Sequence, residues 1–234
     1  MGRSMPKDEM RRRFLAACAL APAWLAFLPE AALAAGAAAQ ISGAAARQRL
    51  IAGNERFVAG KSRRIDYPRR RRAVAPAQAP FAIVLGCSDS RVPPEIVFDQ
   101  GLGDVFTVRV AGNIADDVAL GSMEYAVEHF GTPLIVVLGH ERCGAVSAAV
   151  AAIAAGAVPP PHIASLVAAL RPAVEATKGM KGDPVQNAVV AHVRGTVDAL
   201  KISRPVLAAA VGSGRLSVVG AEYHFKSGRV GFLT

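Results

Sequence analysis

Two short pieces of this chain carry the residue types that do chemistry. One is Cys87-Ser88-Asp89-Ser90-Arg91 and the other is His140-Glu141-Arg142-Cys143. Two thiolates and one imidazole hold a zinc ion firmly in a tetrahedral array and leave the fourth position for water. Cys87, His140 and Cys143 supply that set, with His140 and Cys143 at i and i+3. Asp89 either fills the fourth position or stands off the metal as a hydrogen-bond acceptor, and Arg91 is spaced to pair with it and hold it off. A structural zinc is the alternative, but such sites more often use paired Cys-x-x-Cys and have no need of an Asp–Arg pair.

Both pieces follow apolar runs of strand length. Phe81 to Leu85 precedes the first and Leu134 to Leu138 the second, ending in Gly86 and Gly139. Ligands in open α/β sheets bind at strand ends, so the runs deliver the two pieces to one sheet edge. A further strand is expected over Val105–Val110, with Ala111-Gly112-Asn113 as a turn. Helices are expected over 44–58, 116–129, 144–155, 163–177 and 184–200. The arginine-rich stretch from Lys61 to Pro80 reads as a connector. Residues 205–211 and 215–222 read as a last strand pair around Gly212-Ser213-Gly214. This alternation predicts an α/β fold, with a mostly parallel central sheet flanked by helices and an N-terminal helical arm.

The chain has 234 residues and 52% hydrophobic content, enough for one well-cored domain once a leader is set aside. Residues 1–34 read as that leader, and residues 35–234 as the domain. Arg11-Arg12-Arg13-Phe14-Leu15 fits a twin-arginine export signal, the apolar stretch Ala16–Leu28 follows, and Ala32-Leu33-Ala34 is a small-x-small cleavage signal. The expectation is a folded, exported, periplasmic protein without a stable membrane anchor, an uncleaved anchor being the alternative. Only Cys87 and Cys143 then remain. In an oxidising compartment a disulfide is their other reading, but it leaves His140 and Asp89 without a role.

The leader takes five of the 27 Lys/Arg and three of the 18 Asp/Glu, leaving 22 basic and 15 acidic residues, a net charge of +7. Much of the excess sits at Arg63-Arg64 and Arg69–Arg72. With Tyr67 as the only nearby aromatic, the run reads as a solvated or interface-lining face and not as a nucleic-acid site. His129, His162, His192 and His224 lack ligand partners at useful spacing and are assigned no chemistry.

From Ala44 to the C-terminus the sequence resembles the β-class carbonic anhydrases. Cys-Ser-Asp-Ser-Arg at 87–91 and Gly-His-x-x-Cys-Gly at 139–144 match the family's zinc motifs. Ala-Gly-Asn at 111–113 and Ser-Met-Glu-Tyr-Ala at 122–126 match the segments between them. The resemblance implies Cys87, His140 and Cys143 as zinc ligands and Asp89–Arg91 as the catalytic dyad. It places Gln78 at a substrate-binding glutamine, and Phe106 and Tyr125 at pocket-lining positions. On the residues alone, Phe106 reads equally as core, Tyr125 as helix packing and Gln78 as surface. Val84 stands where the bicarbonate-regulated branch has tryptophan, which favours the plant-type-like, open-site branch.

The implied reaction is zinc-dependent reversible hydration of carbon dioxide to bicarbonate and a proton through a zinc-bound hydroxide. Asp89 would orient that hydroxide. Phe106, Tyr125 and Val92 would accept the apolar gas, and Gln78 with the Gly144 amide would hold substrate oxygens as charge develops. The rivals are a carbonyl sulfide or carbon disulfide hydrolase on the same scaffold and a non-catalytic zinc- or anion-binding protein. A homodimer or higher even oligomer is expected, because a helix bearing Leu50, Ile51 and Phe57 on a proline-rich arm has little of its own domain to cover and is suited to wrap a partner.

Overall fold

The structure, a computed structural model, describes residues 41–233. The expected leader, residues 1–34, lies outside the described residues. Helix α1, Gly43–Val58, starts at Ser42, whose hydroxyl accepts the Ala45 N–H. Its buried positions Ala46, Leu50, Gly53 and Asn54 fall on one stripe, and that stripe packs on the chain's own sheet. Asn54 fastens it further. Its Nδ2 donates to the carbonyls of Val97 and Gly228, and its Oδ1 accepts from Val230 N–H. The helix expected to wrap a partner therefore covers its own domain.

The stretch expected as a connector contains a second helix, α2, Tyr67–Val74. Asp66 caps it by accepting the Arg69 N–H, and Pro68 sits in its first turn, where a missing N–H costs nothing. The arginines are good helix formers, so the prolines at its start and beyond its end bound a helix and do not prevent one.

Strands β1 (Ala82–Gly86), β2 (Val105–Arg109), β3 (Leu134–His140), β4 (Ser217–Tyr223) and β5 (Val230–Leu233) form one sheet in the order β2-β1-β3-β4-β5. The first four are parallel, and β5 is antiparallel to β4. Strands β1 and β3 are buried throughout, as unbroken apolar runs in a parallel sheet must be.

Between the strands come α3 (Pro94–Val97), α4 (Asp117–Phe130), α5 (Gly144–Ala155), α6 (Pro161–Ala176), α7 (Pro184–Ile202) and α8 (Val206–Gly212). The expected strand over 205–211 is instead helix α8, Val206–Gly212. An alanine-rich apolar run carries no period-2 signal, and helix propensity decides it, with Leu207 and Ala210 turned inward. The last strand pair is instead β4 with β5. Alternate residues of β1 and β3 divide the core. Ile83, Leu85, Ile135 and Val137 face Met123, Val193 and Leu200, whereas Val84, Leu134 and Val136 face Leu50 and Phe98. Among the described residues, no helix is long and apolar enough to cross a membrane.

Candidate metal centre

The register of the sheet brings the two chemical pieces together. Gly86, the last residue of β1, pairs with Arg109 of β2 and Leu138 of β3, so Cys87 leaves the sheet beside the end of β3. His140 closes β3 and Cys143 caps the start of α5. The Cys87 and Cys143 Sγ atoms lie 3.9 Å apart as free thiols, and a ligand atom from each of Cys87, His140 and Cys143 lies within 4.8 Å of the others. All three residues are buried.

His140 provides the test of whether a metal fits. Its Nδ1–H donates to the Glu141 carbonyl at 3.0 Å, which fixes the tautomer and leaves a lone pair on Nε2. That Nε2 is buried and has no hydrogen-bond partner. An orphaned imidazole lone pair beside two thiols is costly as an empty arrangement and suits zinc, whose ligands are of these types.

The ionisation states point the same way. The hydrogen bond with Cys143 pulls Cys87 down to about 4 against the opposing effect of burial, with help from His140 and the Gly112 amide. Cys143, sharing its proton with Cys87 and buried, is pushed up. Burial alone would lower His140, but the neighbouring Cys87 and its charge outweigh it and raise it. One thiolate is thus present before any metal arrives.

Several supports were not legible as motifs. Gly112 takes φ 72, where a side chain is strained, and its N–H donates to Cys87 Sγ at 3.2 Å. Arg109 reaches back to the Cys87 carbonyl through Nε, 2.9 Å, and to the Asp89 carbonyl through Nη2, 2.6 Å. Phe225 lies under the Arg91 guanidinium at 4.0 Å and edge-on to His140 at 5.4 Å. An arginine ending a strand and an aromatic just beyond another were the only available hints.

Asp89 stands beside the ligand cluster, not within it. Its Oδ1 accepts from Arg91 Nε and N–H, its Oδ2 from Arg91 Nη2 at 2.7 Å, and Oδ2 lies 3.9 Å from His140 Nε2. The Arg91 hydrogen bonds hold its carboxyl well below the usual range. Gly144 opens α5 next to Cys143, with open space where a side chain would be.

The other expected residues are not brought to the cluster of their own chain. Gln78 is exposed ahead of β1, a strand length of about 17 Å from the Cys87 end. Phe106 pairs with Ile83 near the start of β1, and its ring lies 6.2 Å from Phe130. Tyr125 is 48% exposed on α4, stacked on His129 and edge-on to Phe130. Val92 is buried in the core.

Residues 82–230 match the family model described as carbonic anhydrase. The carbonic anhydrase of Mycolicibacterium smegmatis is 43% identical over 161 residues, 69% of this chain and 78% of that protein. Among solved structures, the β-carbonic anhydrase CcaA superposes with a TM-score of 0.64 at 27% identity, covering 80% of this chain and 95% of that one. The β-carbonic anhydrase of Coccomyxa gives 0.59 at 30% identity, covering 69% and 75%. With the fold, the ligand set and the Asp–Arg pair all in agreement, the chain belongs to the β-class carbonic anhydrase family.

Proposed function

We infer that this chain catalyses the zinc-dependent, reversible hydration of carbon dioxide to bicarbonate and a proton. The observation that carries this reading is the buried Cys87–His140–Cys143 cluster, with its orphaned Nε2, beside a carboxylate that Arg91 keeps ionised. Zinc, when bound, supplies a Lewis acid that makes water deprotonate near neutral pH, as in the three-histidine carbonic anhydrases. The chain does the rest. Glu141 O and the Phe225 edge fix the His140 ring, and Gly112 N–H steadies Cys87. Asp89, ionised and locked by three Arg91 hydrogen bonds, accepts a hydrogen bond from the reacting water and aims its lone pair at the gas. The Gly144 N–H, at the first residue of α5, has no intrahelical acceptor and can meet the oxygen on which charge develops.

Stopped-flow hydration of carbon dioxide by the zinc-loaded chain, run beside carbonyl sulfide and carbon disulfide, tests the reading. Faster turnover of a sulfur gas would overturn it. Asp89→Asn should keep its zinc and lose most of its activity, at least about a hundredfold. A wild-type rate in that variant would remove Asp89 from the mechanism.

Three finer readings belong to the same proposal. Val84, buried in β1 where the regulated branch has tryptophan, supports the open-site branch. The protein is a homodimer or higher even oligomer in which one chain's Gln78, Phe106 and Tyr125 serve the partner's cleft. Their distance from their own cluster supports this, as does the exposure of Gln78, Tyr125 and Val118. Finally, residues 1–34 export a folded domain, residues 35–234, to the periplasm, on the strength of Arg11-Arg12 with Phe14-Leu15. Changing Arg11, Arg12 and Arg13 together to lysine should leave the precursor in the cytoplasm. Undiminished periplasmic protein would assign the leader to another route.

A further inference from the structure

Between residues 59 and 80 the chain carries seven Lys/Arg and a single acid, Asp66. The fold sorts these charges. Arg63 turns inward to Asp99, donating from its backbone N–H to Oδ1 and from Nη2 to the Asp99 carbonyl. Arg70 turns inward to Asp104 at 2.9 Å and to the Leu102 carbonyl at 2.8 Å. Asp99 and Asp104, 4% and 14% exposed at their side chains, are further engaged by Arg56 and Arg49. The acids that could neutralise this face are thus consumed beneath it, fastening segment 61–74 to the loop 99–104. Lys61, Arg64, Arg69, Arg71 and Arg72 remain exposed and, among the described residues, make no ion pair. Asp66, exposed among them, accepts the Arg69 N–H as the cap of α2.

Apolar groups sit within the same face. Tyr67 is 52% exposed and Leu102 is 41% exposed, the latter held against α2 by the Arg70 bond to its carbonyl. Gly103, next to Leu102, lies against Val74 of α2.

We infer that this face docks the protein peripherally on an anionic phospholipid surface. Five exposed cations of this segment outnumber its one exposed acid, Asp66, while Asp99 and Asp104 are engaged beneath, and basic clusters of this size are attracted to anionic headgroups. Tyr67 and Leu102 provide one aromatic and one aliphatic group at the depth where headgroups meet acyl chains. The face does not insert, since α2 buries no residue and has no apolar stripe. A second copy of this face is excluded as occupant, because it would set cation against cation. Nucleic acid fits less well, since base stacking uses several interleaved aromatics and this segment has only Tyr67.

The test compares the full zinc-loaded chain with its Arg64→Glu/Arg69→Glu/Arg71→Glu/Arg72→Glu variant, the leader being the same in both. Sedimentation is measured with vesicles of phosphatidylglycerol in phosphatidylcholine and with phosphatidylcholine alone. The wild type should bind the anionic vesicles more tightly, and lose that excess as salt is raised. The variant should bind them at least about tenfold more weakly, with unchanged carbon dioxide hydration as evidence that it is folded. Should the quadruple variant misfold, Arg71→Ser/Arg72→Ser should give a smaller loss in the same direction. Equal binding of wild type and variants, or excess binding insensitive to salt, overturns the proposal. So does displacement of the protein from vesicles by duplex DNA at lower phosphate concentration, and so does a wild-type oligomer that the charge reversal dissociates in light scattering.

Discussion

Zinc ligation is settled by a few atoms, and their protonation gives a direct prediction. Ligands must be deprotonated to bind, so uptake releases whatever protons the empty site holds. At neutral pH Cys87, drawn down to about 4, holds none. Cys143, pushed up, holds one, and His140 is raised from its ordinary value by the adjacent Cys87. Zinc binding near pH 7 should therefore release the Cys143 proton. Affinity should weaken as pH falls and His140 fills. Calorimetry in buffers of differing ionisation enthalpy reads the release directly. No proton release at pH 7 would mean that Cys143 is not a ligand. The ligands themselves were legible because their types and spacing have few other uses. Their supports were not. The Gly112 amide on Cys87 and the Arg109 bonds behind the Cys87 loop come from chain 20 to 25 residues away, and only the register of β1 with β2 brings them in.

At the scale of elements, α1 separates two pictures of the molecule by the sign of one substitution. Glycine to alanine in a helix that packs on nothing stabilises by about 1 kcal/mol. At Gly53 a Cβ would lie 1.8 Å from the Phe98 carbonyl oxygen and 2.8 Å from Gln100 Nε2. Backbone sits in the way, and it cannot swing aside as a side chain could. Gly53→Ala should therefore destabilise by about 2–3 kcal/mol, lowering the denaturation midpoint. A stabilised variant would return α1 to the free arm that its position in the sequence suggested. The sequence showed that α1 is a helix but not what it covers, because an apolar stripe fits its own sheet and a partner equally well. Strands β1 and β3 were legible as unbroken apolar runs between glycines. Residues 206–212 were not, since Val-Leu-Ala-Ala-Ala-Val has no period that distinguishes buried strand from buried helix.

At the scale of the whole molecule, the residues proposed to meet substrate pose a question of geometry. Gln78, Phe106 and Tyr125 share a resemblance to pocket positions, yet their own cluster lies at the opposite end of the strands. Two copies related by a two-fold axis resolve this if each chain lends these residues to the partner's cleft, since an isologous contact makes the loan reciprocal. Co-expression of two defective chains distinguishes the alternatives. Cys143→Ser lacks a zinc ligand but keeps Gln78, whereas Gln78→Ala keeps the ligand set but lacks the glutamine. Neither homodimer should be fully active. In a mixed dimer with reciprocal cleft sharing, the zinc centre of the Gln78→Ala chain meets the intact Gln78 of the other chain. With random pairing, half of the dimers are mixed and each has one intact cleft, so activity should recover to about a quarter of wild type. If Gln78 serves its own chain, every zinc-competent cleft lacks it and the mixture shows only the average of its two parents. That average, measured with mixed dimers demonstrated by tag-specific purification, would reject the shared cleft and return Gln78 to the cleft of its own chain.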